Sequence, residues 1–157
     1  MQYRHRSYAV FILLGLTVIA LISVYLLQPP KPKPASAPAN EFSAERAMKH
    51  VQEIAREPHA MGTEAHTKVR SYLLGQMQAL GLNPQVQEAT AANEYSVGYV
   101  YNLVGRLKGS GNTGKAILAM AHYDSQPNAR GAGDDGAGVA AILETVRAIK
   151  QGQPLEH

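Results

Sequence analysis

A run of 20 residues without a charge, Tyr8 to Leu27 (YAVFILLGLTVIALISVYLL), constrains this chain more than any other feature. As a helix rising 1.5 Å per residue it spans ~30 Å, the thickness of a bilayer's hydrocarbon core. Arg4 and Arg6 precede it, and the positive-inside rule then puts the N-terminus in the cytoplasm and the following domain in a periplasmic or other extracytoplasmic space. Lys31 and Lys33 narrow that charge asymmetry without reversing it. A cleaved signal peptide fits less well, because its apolar region runs ~7–15 residues and a small-x-small site follows closely. Here Ala35-Ser36-Ala37 comes late, and Pro38 would follow the cut. The expected layout is a tail at 1–7, a transmembrane helix at 8–27, a linker at 28–40 and a globular part at 41–157.

The net charge of +3 belongs to the flanks of that helix. Residues 1–34 hold four basic side chains and no acid, while residues 35–157 hold 11 basic and 12 acidic ones. No basic stripe is left on the globular part to neutralise phosphates, which argues against nucleic acid as a partner. The absence of Cys excludes disulfide scaffolds, Cys-zinc sites and thiol catalysis. Gln28 to Asn40 carries five of the nine prolines and reads as an extended spacer.

From residue 41 helical and strand patterns alternate. Ser43 is placed to cap a helix through Arg56, with Ala47, Met48, Val51, Ile54 and Ala55 on one face. A second helix is expected over Glu64 to Leu80, stopped by Gly81 in the left-handed conformation. Pro84 to Thr90 and Val97 to Leu107 read as strands, and Tyr95, Tyr99 and Tyr101 alternate along the second as packing residues. Lys115 to Tyr123 (KAILAMAHY) reads as a buried strand. Val139 to Lys150 reads as a third helix with Val139, Ile142, Leu143, Val146 and Ile149 inward. Helices mixed with strands argue an α/β domain with helices on a mixed sheet.

Gly109 to Ala116 (GSGNTGKA) nearly matches a phosphate loop, but Ala116 lacks the hydroxyl and the segment leads into an apparent strand. It reads as a turn, and no nucleotide is expected. The informative stretch is Ala121 to Glu144 (AHYDSQPNARGAGDDGAGVAAILE). In an extended segment His122 and Asp124 share one face, with Tyr123 on the other. A His and a carboxylate so placed can share a metal, or the carboxylate can orient the imidazole. Asp134-Asp135 stands directly before the third helix, so one carboxylate can cap its N–H groups while the other points into a site. Gly136, Ala137 and Gly138 keep bulk out of that turn. His59 and His66 read as surface or packing residues, and His50 as lying on a polar face.

HYDS, the short gap and GAGDDGAGVAAILE resemble the first half of the di-zinc aminopeptidases of metallopeptidase family 28. The upstream EPHAMGTEAH, the helix ending ALGL and YNLVGRLKG are also similar to that family, so the likeness covers roughly residues 43–157. Asp124-Ser125-Gln126-Pro127 also fits a related exopeptidase pattern, H-x-D-x-x-P, but GAGDDGAGV resembles the aminopeptidases more closely. The resemblance implies a zinc-exopeptidase-like fold, two zinc ions, peptide substrates, and hydrolysis by metal-activated water. It makes His122 a terminal zinc ligand, Asp134 the carboxylate bridging both ions, and Asp124 the residue that holds His122. Asp135, Gly136 and Gly138 shape the turn, where the family often has a cis peptide after the bridging Asp.

The family's set continues with a Glu-Glu pair, an Asp and a further His, none of them matched here. Two of five ligands are therefore expected, no general base can be named, and Glu144 is no substitute for the pair. The chain is accordingly expected to be the N-terminal portion of a membrane-anchored zinc aminopeptidase and inactive by itself. Two rivals are a membrane-tethered interaction module that keeps the fold without turnover, and a glutaminyl-cyclase-like transferase.

Overall fold

A computed structural model describes residues 2–92, 94, 97–111, 114–153 and 155. Tyr95, two residues of the Gly/Asn turn (Asn112 and Thr113), and three of the last residues (Pro154, Glu156 and His157) lie outside the described residues. The chain divides into two compact units, Met1–Lys31 and Pro32–His157.

The first unit is a single helix, α1 (Gln2–Leu26). Its stretch Tyr8–Leu26 has a mean hydropathy of 2.7, long and apolar enough to cross a membrane. Thr17 and Ser23 donate their hydroxyls to the carbonyls of Leu13 and Ile19, each at 2.9 Å, so these polar groups are satisfied within the helix.

The second unit begins at Pro32. Residues 33–43 are not a free spacer. Their carbonyls accept hydrogen bonds from Arg46 and Arg147, and Ala35 N–H donates to Glu45 Oε2 at 2.8 Å. Helix α2 (Ala44–Ile54) follows, with Ser43 in extended backbone accepting from Arg46 N–H at 3.2 Å. Its buried face is Ala47 and Ile54, while Met48 stays exposed.

Helix α3 (Glu64–Ala79) is capped by Thr63, whose hydroxyl oxygen accepts from His66 N–H at 3.1 Å. It ends at Gly81, φ +65°, with Leu82 N–H bonded to Met77 O and Gly81 N–H to Gln78 O. That pair of bonds closes the last turn and releases the chain into a hairpin. Strands β1 (Gln85–Ala92) and β2 (Val97–Val104) pair antiparallel, from Gln85 opposite Val104 to Ala92 opposite Val97. Ile54, Val69, Leu73 and Leu143 form the core, with Tyr72, Met77, Leu80, Leu103, Tyr123 and Val139 packed around them.

The expected strand over 115–123 does not form. Residues 115–123 take no strand conformation, and Ile117 is 89% exposed, with Leu118 and Met120 nearly as open. Apolarity brings a segment into a sheet only where a neighbouring strand takes its N–H and C=O groups. Among the described residues no strand pairs with this run. Helix α4 (Ala137–Lys150) closes the unit. Its buried face is Ala140, Leu143, Glu144 and Ala148, rotated from the expected one, and Glu144 is wholly buried.

Candidate functional site

His122, Asp124 and Asp134 come together although the segment carrying the first two is not a strand. His122 Nδ1 lies 3.2 Å from both Oδ1 and the carbonyl O of Asp124. Both atoms are acceptors, so Nδ1 carries the proton and donates it. On the other side of the ring, Nε2 stands 2.8 Å from Asp134 Oδ1. A proton on each nitrogen satisfies this arrangement, and the pKa of His122 is accordingly raised. The Asp134 hydrogen bond is the main cause, supported by Asp124 against some desolvation.

The turn Ala132–Gly136 delivers Asp134 to that place. The Asp134–Asp135 peptide is cis, and both residues have non-helical backbone (φ −130°, ψ 90° and φ −129°, ψ 33°). Gly131 adopts φ +64°, where a side chain would also meet Ser125 Cβ. Gly136 N–H donates to Gly131 O at 2.9 Å, and a Cβ on Gly136 would stand 2.8 Å from that same carbonyl. Asp135 turns away from His122, and its Oδ1 accepts from Gly138 N–H at 3.1 Å in the first turn of α4. The two adjacent carboxylates thus divide their work, one facing the imidazole and one satisfying a helix amide.

A second anchor lies beneath the turn, and the sequence does not display it. His59 N–H donates to Ser125 Oγ at 2.8 Å, and Ser125 N–H returns a longer bond to His59 O. Both residues are buried. Ser125 directly follows Asp124, so this bridge ties the start of the loop to the segment before α3. His59 and His66, expected as surface or packing residues, are both buried and so not on the surface. His66 stacks on Tyr123, with ring centroids 4.7 Å apart. Tyr123 donates its hydroxyl to Tyr101 O, and Arg70 lies 3.8 Å over the Tyr101 ring. A hollow of about 410 Å³ lined by Met61, His66, Arg70, Tyr99 and Tyr101 contains neither His122 nor Asp134. His50 is half-buried on Tyr72, at 2.6 Å, and burial lowers its pKa.

The donor set fits zinc in kind. With Nδ1 committed to Asp124, Nε2 would turn a lone pair toward Asp134 Oδ1 once it gives up its proton, and a divalent cation suits that pair of donors. It falls short in number, because a catalytic zinc takes three protein ligands. Among the described residues no group of three or more His, Asp or Glu side chains could hold a metal ion. Asp134 is 90% exposed at its side chain and His122 51%, so both remain open to further ligands.

Known proteins resemble this chain in sequence and in fold. The family described as Peptidase family M28 matches residues 102–157. A vacuolar membrane protease of Candida albicans is 34% identical over 97% of this chain, which spans 19% of that relative's length. Two solved structures share the fold. The glutaminyl cyclase of Tannerella forsythia gives a TM-score of 0.62 at 31% identity, covering 69% of this chain and 42% of that one. A glutaminyl cyclase of Porphyromonas gingivalis gives 0.59 at 30% identity, over 71% and 41%.

Proposed function

We propose, from the match of residues 102–157 to peptidase family M28, that this chain contributes the first metal-binding elements of a membrane-anchored zinc aminopeptidase. The observation that carries this reading is the Asp124–His122–Asp134 line, with one imidazole held between two carboxylates at 3.2 and 2.8 Å. His122 and Asp134 would hold zinc, Asp134 as the carboxylate shared by two ions, and Asp124, by keeping the Nδ1 proton, would leave Nε2 as the ligating nitrogen once its own proton is lost. Zinc bound there would supply Lewis acidity and an activated water for attack on a peptide carbonyl. The chain's own residues aim that chemistry: Asp135 holds the first turn of α4, and the His59–Ser125 bridge and Gly131 set the path of the loop. Peptides are the substrates in this reading. Helix α1 anchors the protein with its N-terminus in the cytoplasm and the second unit on the opposite side. The membrane protease name carried by the Candida relative, and the length and apolarity of α1, support attachment to a membrane.

Calorimetric titration of zinc into the detergent-solubilised protein tests the ligands. Wild type should bind at least about tenfold more tightly than His122→Ala or Asp134→Asn. Equal affinity in all three overturns the assignment. With two ligands and no identified base, the chain alone should leave an aminoacyl-nitroanilide intact, and chelator-sensitive hydrolysis would show that the ligand count is wrong.

The structural likeness to two glutaminyl cyclases favours a second reading, a transferase that closes an N-terminal glutamine on itself. A peptide beginning with Gln, offered to a protein that joins these residues to the remaining length of such a relative, separates the two. Ammonia release without loss of the first residue supports the cyclase, and a freed first residue supports the peptidase.

A further inference from the structure

A dense polar network among the described residues of the second unit lies away from His122. Glu144, 0% exposed on α4, accepts at Oε1 from Ser43 N–H, Arg46 Nε and Arg147 Nη2, each at 2.9 Å, and at Oε2 from Arg147 Nε at 2.6 Å. The remaining guanidinium N–H groups reach the main-chain carbonyls of Ala35, Ala37, Pro38, Ala39 and Glu41. Ser43 Oγ, 2.8 Å from Pro34 O, adds a further anchor. In many helices a carboxylate three residues after the cap reaches back to the capping residue's N–H. Arg46 occupies that place in α2, and the carboxylate comes instead from α4, 101 residues away in sequence.

Both helices of this network run to the Asp134 turn. Helix α4 begins at Ala137, and Glu144 sits roughly 10 Å along it. At the end of α2, Ile54 Cγ2 lies 3.4 Å from where a Cβ on Gly136 would be. We infer that residues 33–43 are a docked strap whose attachment to Glu144 holds the Asp134–Gly138 turn in order. Glu144, Arg46 and Arg147 are then positioning residues: none touches His122 or Asp134, and each acts through α2 or α4. The inference takes its functional meaning from the reading of Asp134 as a metal ligand, while its test needs no metal.

Amide hydrogen exchange on the full chain in detergent decides it. Ala37 and Glu41 N–H, bonded to Pro34 O and Pro38 O, report on the strap. Gly136 and Gly138 N–H report on the turn, and the β1–β2 ladder reports on the rest of the unit. Arg46→Lys keeps the charge, loses the forked contacts, and alters neither α4 nor the turn. It should speed exchange at least about fivefold at both strap and turn and leave the ladder unchanged. Glu144→Gln should produce the same pattern more strongly. A strap that loosens while Gly136 and Gly138 keep their rates overturns the inference, as does a strap that stays protected in both variants. Equal acceleration of the ladder in both variants overturns it too, because the effect would then be global. Zinc affinity can fail independently of all three outcomes, so the two readings fall separately.

Discussion

Asp134 and Glu144 are carboxylates ten positions apart, one just before α4 and one within it. Each faces a nitrogen base, and there the likeness ends. Glu144 is wholly buried and takes four hydrogen bonds from Ser43, Arg46 and Arg147. Asp134 is 90% exposed and shares a single imidazole nitrogen. The first has spent its valences inside the protein and has none left for a ligand. The second keeps lone pairs open to something from outside. Burial with complete pairing marks a fastener, and exposure with incomplete pairing marks a site.

The sharpest break in that contrast is Glu144→Ala. Two arginines would then lose their buried counter-charge, and urea unfolding should show a loss of about 3–5 kcal/mol. Acid should act on the same residue without mutation. Burial alone would push the Glu144 carboxyl up, but the hydrogen bonds from Arg147, Arg46 and Ser43 N–H outweigh it and hold the pKa at about 2, against an ordinary 4.5. The folded state therefore binds this proton more weakly than the unfolded chain does. The resulting stability, roughly 3 kcal/mol, is complete above about pH 4.5 and is lost as the pH falls toward 2. Urea midpoints measured down this range should fall in wild type and flatten in a Glu144→Gln protein.

Gly136→Ala tests the ground between the two carboxylates. Its Cβ would press on the Gly131 carbonyl at 2.8 Å, and a cost of about 1–3 kcal/mol is expected in thermal or urea unfolding. Asp134→Asn should have the smallest effect, within about 0.5 kcal/mol, because an exposed pair contributes little to stability. A loss as large as that at Glu144 would make Asp134 a second fastener and remove the distinction.

The two carboxylates also differed in how readily they could be read from residues alone. Asp134 stands in a local pattern, with His122 and Asp124 upstream and a small-residue turn after it, so its neighbours lie within 12 positions. The helices and the hairpin were similarly legible, since the Ser43 cap and the Gly81 stop act over a few residues. Glu144 was not. A single acid in an apolar helix looks like a solvated position, and its partners Arg46 and Ser43 lie 98 and 101 residues away. The Ser125–His59 bridge was hidden for the same reason. Residues 115–123 show the converse failure. Their apolarity was plain, but a strand also depends on a neighbour that local sequence does not specify.

The docking of residues 33–43 rests almost wholly on main-chain oxygens, and this bears on which substitutions the segment tolerates. Arg46 and Arg147 recognise a path of the backbone rather than an identity of side chain. Prolines and alanines suit such a path because they surrender little freedom on being fixed there. Over evolutionary drift these positions should accept exchange among small and ring-constrained residues. The acid at 144 and the two guanidinium forks should change only together.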